Sequence, residues 1–316
     1  MISTVRNQSR GLVAGVAPKF DRRSRPFYAM LGGSALLTWI LLAATRIDVS
    51  PAMQFDTAMW AAVAISVATM LRRVGDVRLA TAIETVFLMI VMAVVLVGIQ
   101  YPLAALSGPL VDVPLLRADR ALGFDWLTFA DMFMDSRALL LLKWAYLSMS
   151  WQAAFVLILL AWRGEMGRAW QFVTAAFIIF IASLLLFPFF PADGRFVLCG
   201  LHPAAIPVFD RFCVYAPALH HLKDGTLKVI QPSMAVGMVT FPSAHAAAAL
   251  ALAWAVWREK WLRWPSALLN TGLCVGAIVI GSHYLVDIIG GLALGALSIQ
   301  VAGRLVGSGS RALLNV

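Results

Sequence analysis

The sequence predicts an all-α, polytopic membrane bundle, and three observations carry that prediction. The chain is 61% hydrophobic and only 13% charged over 316 residues, more apolar surface than a water-soluble domain of this length can hide. Eight apolar runs, at about 27–45, 53–71, 80–99, 139–162, 169–190, 241–257, 266–282 and 284–304, are long enough to cross roughly 30 Å of hydrocarbon. The cationic residues then segregate to one side. With the N-terminus inside, the inner segments hold 16 Lys/Arg against 4 Asp/Glu, and the outer segments 8 Lys/Arg against 9 Asp. That asymmetry follows the positive-inside rule. It accounts for the formal charge of +9 without a nucleic-acid partner; the expected partner is the bilayer. Oligomeric state is not written in the sequence.

The elements follow in order. Residues 1–26 form a basic cytoplasmic segment that lacks the apolar core of a signal peptide, and Lys19, Arg22, Arg23 and Arg25 are placed to meet anionic lipid. Residues 27–99 carry three spans that read as ordinary lipid-facing helices, with Asp56 and Glu84 as structural exceptions near span ends. Residues 100–138, with Pro102, Pro114 and the string Arg117 to Trp126, read as an outer interfacial turn with short amphipathic helices and Trp126 at head-group level. Residues 139–304 form the core, interrupted by an irregular outer loop at 191–240, and 305–316 a cytoplasmic tail. Eight spans thus divide into a six-helix core behind two further N-terminal helices. Short loops and the absence of a cleaved leader point to a bacterial cytoplasmic membrane.

Small residues fill the last three spans, including Ala244, Ala246–Ala249 and the pair Gly291-x-x-x-Gly295, which lets helices approach closely. Cys274 lies inside a span as a small packing residue; Cys199 and Cys213 share the outer loop and are candidates for a disulfide.

The chemistry concentrates in Phe241-Pro242-Ser243-Ala244-His245 and His283-Tyr284-Leu285-Val286-Asp287. A histidine or carboxylate is costly in lipid and is usually functional there. Pro242 suits the first position of a helix, which leaves the amides of Ser243, Ala244 and His245 aimed out of the helix end beside the Ser243 hydroxyl, a ready anion site. His283 and Asp287 stand four apart, which on a helix is one face. The carboxylate can take the Nδ1 proton, leaving Nε2 free to attack, while His245 can give a proton to the leaving oxygen. Spans six and eight both start outside, so both histidines meet at the outer face. The same residues are compatible with interfacial hydrogen bonding, or with a metal site completed by His202, His220 or His221; no tight His/Cys/Asp spacing unites them, so neither metal nor cofactor is expected.

Phe241–His245 and Gly281–Asp287 resemble the second and third signature motifs of the type 2 phosphatidic acid phosphatase superfamily, more closely its branch of inositol phosphorylceramide and sphingomyelin synthases. The likeness covers roughly residues 140–304 and implies a helical membrane phosphatase or phosphotransferase. It implies His283 as nucleophile, Asp287 as its orienting partner, His245 as acid and Ser243 as a phosphate contact. Two departures stand out. Gly276 and Ala277 occupy the places of the third motif's Ser-Arg, and the first motif's Lys and Arg-Pro are not present as such. Arg195, after span five, and Lys143, in span four, are the candidate replacement cations. The chemistry implied is cleavage of a lipid phosphoester or pyrophosphate, or head-group transfer by the same histidines. A transporter or scaffold is the remaining alternative, although the polar groups cluster at one face and not at the midplane, where carriers bind.

Overall fold

The computed structural model describes residues 21–134, 137–194, 215–231, 237–280 and 283–307. Among these are twelve α-helices: α1 Arg25–Thr45, α2 Pro51–Val74, α3 Val77–Ala105, α4 Asp112–Ala121, α5 Trp126–Met134, α6 Arg137–Leu147, α7 Met149–Trp162, α8 Met166–Leu186, α9 Tyr215–Lys223, α10 Ala244–Ala255, α11 Arg263–Val279 and α12 Leu285–Val306. Every apolar run of the sequence holds a helix, and the protein is an all-α membrane bundle.

Among the described residues, the helices long and apolar enough to cross a bilayer number fewer than eight. Five helices are long and apolar enough to cross a bilayer (α1, α2, α3, α8 and α12), and α6 with α7 makes a sixth if that pair, bent by 50°, counts as one. The bend falls at Ser148, whose hydroxyl donates to the Ala145 carbonyl (2.6 Å) and accepts from Gln152 (2.9 Å). Such back-bonding competes with the helix ladder and bends it. α10 has only 12 residues and α11 only 17. α10 stops at Ala255 because Arg168 of α8 donates to the carbonyls of Trp254 and Ala255, groups that a longer helix would have used itself. Glu259, just beyond, is gripped by Arg163 (3.0 and 2.9 Å).

Helix starts obey capping chemistry. Ser50, with Pro51 after it, caps α2 through the Met53 amide (3.4 Å), and Asp76 caps α3 through the Leu79 amide (3.0 Å). Between them Gly75 ends α2 at φ 93°, a left-handed turn that glycine adopts without strain.

α3 departs from the lipid-facing role expected of the first three spans. Half of its most apolar stretch is buried, against 11% for α1 and 6% for α2. Leu88, Met92, Leu96 and Ile99 of α3 join Phe27 of α1, Leu157 of α7, Trp170, Val173 and Phe177 of α8, and Ala251 and Leu252 of α10 in one cluster. An evenly apolar helix looks the same in sequence whether lipid or protein surrounds it. Glu84 of α3 is buried and accepts from both Tyr28 and Arg72, so α1, α2 and α3 are tied by one carboxylate.

Trp126 of the interfacial segment packs inside the protein. It is 1% exposed, and its Nε1 donates to the Ile278 carbonyl of α11 (2.9 Å).

The loops that carry polar chemistry gather at one end of the bundle. Asp48–Val49 pairs in parallel with Val229–Ile230, Lys223 donates to the Gly108 carbonyl, and the amides of Gly108 and Val111 bond to Pro188 and Pro191 (2.9 and 2.8 Å). α10 and α12 begin at this end.

Candidate active site

The start of α10 is built by Ser243. Its backbone is extended (φ −63°, ψ 109°) and its hydroxyl accepts from the Ala246 amide at 3.3 Å, making it the helix cap. Pro242 therefore stands before the cap and is not the first helical residue, because a serine hydroxyl that satisfies an amide sets the boundary one residue later. The Ser243 amide is not free either: it donates to the Asp287 carbonyl at 3.0 Å. Two amides of the expected anion site, those of Ala244 and His245, remain without a hydrogen-bond partner among the described residues.

The start of α12 brings its own pair. Asp287 sits in the first turn, fully buried, and its Oδ2 accepts from the Tyr284 amide at 2.9 Å and faces Nδ1 of His283 at 3.3 Å. His283 is not on the helix, so the pair does not share a helix face as the i,i+4 spacing suggested. The carboxylate instead folds back over the helix start, and the preceding chain is held by a bond from the His283 amide to the Ala277 carbonyl (3.1 Å). The outcome for the imidazole is the same: its Nδ1 is engaged and it is 3% exposed.

The histidines meet. Their ring centroids are 5.8 Å apart at an interplanar angle of 66°, and Nε2 of His283 lies 3.5 Å from Oγ of Ser243. His245 stacks on Tyr146 of α6, with centroids 4.5 Å apart and planes 24° apart. Ser243 is fully buried and His283 nearly so, whereas His245 is half-buried.

Lys143 lies one turn before Tyr146 on α6, half-buried, with no ion pair or hydrogen bond among the described residues. Arg195, Cys199, Cys213 and His202 lie outside the described residues. His220 pairs with Asp193 (2.9 Å) and His221 with Thr226 (3.0 Å); among the described residues no group of three His, Cys, Asp or Glu could hold a metal ion. Burial pushes the Asp193 carboxyl above the ordinary carboxylate range, and the bond from His220 opposes that shift.

The departure at Gly276 and Ala277 is built into the packing. An ideal Cβ on Gly276 would stand 2.9 Å from the Leu142 carbonyl oxygen and 3.2 Å from Cβ of Tyr146, and Ala277 is completely buried. α6 occupies the space that larger side chains there would need.

Four residues at the site were not singled out by the motifs: Tyr146, Tyr284, Asp112 and Asp119. The last two stand seven apart on α4, two turns along one face, and both are buried. That spacing was the available signal.

The model of the PAP2 superfamily matches residues 113–301, more than half of the chain. The chain belongs to the PAP2 superfamily. No curated protein and no solved structure matches it. The matched stretch begins within α4 and takes in α5 together with the helix starts at Ser243 and Tyr284. Membership brings phosphatase-type chemistry on lipid phosphoesters and a multi-pass membrane setting.

Proposed function

We propose that the protein cleaves a lipid phosphoester or pyrophosphate through a phosphohistidine. Nε2 of His283 attacks phosphorus in line, the bond to the leaving oxygen breaks, and His245 gives that oxygen a proton. Asp287 holds the Nδ1 proton and stabilises the imidazolium that forms. The free amides of Ala244 and His245, the Ser243 hydroxyl and the cations Lys143 and Arg195 balance charge on the equatorial oxygens, the dominant contribution in phosphoryl transfer. Water then gives its proton to His245 and attacks the phosphohistidine, releasing phosphate and restoring His283. Histidine supplies the covalent chemistry, so the scheme calls for no metal or cofactor. The site is assigned to the outer face of a bacterial cytoplasmic membrane on the charge asymmetry of the loops.

The observation that carries this reading is the meeting of two imidazoles, 5.8 Å between centroids, beside a helix start with two amides that have no hydrogen-bond partner among the described residues. The packing of Gly276 and Ala277 favours a second reading. The cation absent there is also absent from the inositol phosphorylceramide synthase and sphingomyelin synthase branch, where a lipid hydroxyl takes the place of water.

One experiment tests both. Purified protein is given phospholipid labelled in its phosphate, quenched, and searched for an acid-labile adduct. The adduct is expected on His283 and absent from His283→Ala; label in free phosphate then signals hydrolysis, and label in a new lipid signals head-group transfer. Full activity in His283→Ala would overturn the chemistry and move a transporter or scaffold to the front.

A further inference from the structure

A helix begins with amides that lack intrahelical partners and with a partial positive charge, so each of the two helix starts at this site is a place for an anion. They are not equivalent. At α12 the position is already filled from within the chain. Asp119 of α4 accepts from the Leu285 amide at 3.1 Å through one carboxylate oxygen and from the Val286 amide at 3.0 Å through the other. Asp119 is completely buried, so this is a carboxylate committed to those amides and shielded from solvent.

Asp112, two turns earlier on the same face, acts on the neighbouring chain. Its Oδ1 accepts from the Tyr284 hydroxyl (2.7 Å) and the Gly194 amide (2.9 Å), and its Oδ2 from the Asp193 amide (3.0 Å). Residues 284, 285 and 286 are therefore all held by α4, and they follow His283 directly in the chain. The Tyr284 amide in turn donates to the carboxylate of Asp287. Moving α4 moves the group that holds Nδ1 of His283.

We propose that Asp119 and Asp112 are positioning residues for the reaction: they bind the Leu285 and Val286 amides and the Tyr284 hydroxyl, and so fix His283 and Asp287 opposite His245. Occupation of the α12 start by Asp119 also leaves the α10 start as the place for the substrate phosphate. The proposal rests on the phosphohistidine reading for its catalytic consequence, though not for its geometry. Being hydrogen-bonded to charged groups, these contacts are individually strong.

The test compares Asp119→Asn, which keeps one acceptor oxygen, with Asp119→Ala, which keeps none, in the full-length protein in detergent. The expected result is a fall in kcat of about 10-fold for the first and about 100-fold for the second, the range for residues that orient a reacting group through another, with KM within about twofold. The rate of adduct formation in a single turnover should fall in step. Unchanged kcat in both variants would overturn the proposal, as would a rise in KM at constant kcat, or a loss of kcat no larger than the loss of folded protein. If neither variant folds, Tyr284→Phe removes only the hydroxyl held by Asp112: a severalfold fall in kcat upholds the proposal and an unchanged kcat defeats it. Amide hydrogen exchange at Leu285 and Val286 separates this idea from the chemistry. Should the wild type form no adduct on His283, the phosphohistidine reading fails, yet slow exchange at those amides that quickens in Asp119→Ala still upholds the clamp; equal exchange in both proteins overturns it.

Discussion

Gly291 of α12 lies so close to Ser243 of α10 that an ideal Cβ on the glycine would stand 2.3 Å from the serine carbonyl oxygen. The same Cβ would meet Cβ of Ala246 at 3.0 Å, and one turn on, a Cβ on Gly295 would meet the Ala247 carbonyl oxygen at 2.7 Å. The residue that caps α10 therefore rests on bare α12 backbone, and the spacing of the histidines depends on that approach. Gly291→Ala should force the helices apart, at a cost of about 1–3 kcal/mol, and should lower activity more than stability alone explains. Gly303→Ala is the matched control, because its Cβ would meet only the amide end of Gln171, at 2.7 Å, and that end is a flexible side chain that can give way at the loss of its bond to the Ile299 carbonyl (3.0 Å), not backbone. Thermal unfolding and phosphate release, measured on both, check the contrast; equal effects would count against it.

Asp287→Asn tests the orientation of His283. An amide in place of the carboxylate presents a donor to Nδ1 as readily as an acceptor, which favours the tautomer with its proton on the attacking nitrogen. The expected loss is about 10⁴-fold in kcat with little change in KM, as when the aspartate of a serine-protease triad is replaced. A loss confined to KM would mean that Asp287 serves binding instead.

Tyr146 supports His245 by stacking, with centroids 4.5 Å apart. Tyr146→Phe keeps the ring and should stay within about threefold of the wild-type kcat, whereas Tyr146→Ala lets the imidazole drift and should cost about 10- to 100-fold, the scale of a misplacement of about 1 Å. Steady-state rates decide it, and a Phe variant as impaired as the Ala variant would assign the hydroxyl a role of its own.

The Asp193–His220 pair predicts a pH dependence. Burial holds the Asp193 carboxyl above its ordinary range, so the folded protein binds that proton more readily than the unfolded chain. The contribution favours folding at low pH and is lost as pH rises through the folded value. Relative to Asp193→Asn, the wild type should thus lose melting temperature as pH rises above the ordinary carboxylate range; a gap that stays constant over that rise would refute it.

Much of the site was legible in the residues and less of the scaffold around it. His245, His283 and Asp287 are scarce polar groups in an apolar chain, and the alternation of spans brought their segments to one end without knowledge of packing. Local geometry was harder. The i,i+4 spacing of His283 and Asp287 reads as a shared helix face, whereas the chain enters α12 only at Leu285. Asp112 and Asp119 lie on the polar face of a short amphipathic helix, and periodicity alone does not say whether such a face meets lipid head groups or buried amides. Trp126 is ambiguous for the same reason: an indole N–H at a span boundary finds water in one case and, as here, a carbonyl such as that of Ile278 in the other. α3, evenly apolar, gave no sign that half of it is inside.

The short α10 has a consequence for the chain that leads into it. Its 12 residues rise about 18 Å at 1.5 Å each, well short of the roughly 30 Å of hydrocarbon. Residues 237–243 precede it as irregular chain, and irregular backbone at membrane depth is tolerated only where protein buries it or water wets it. Protein does so here: Met238, Thr240, Pro242 and Ser243 are all buried. A helix too short to cross the hydrocarbon alone thus leans on its neighbours to shelter the backbone at its start.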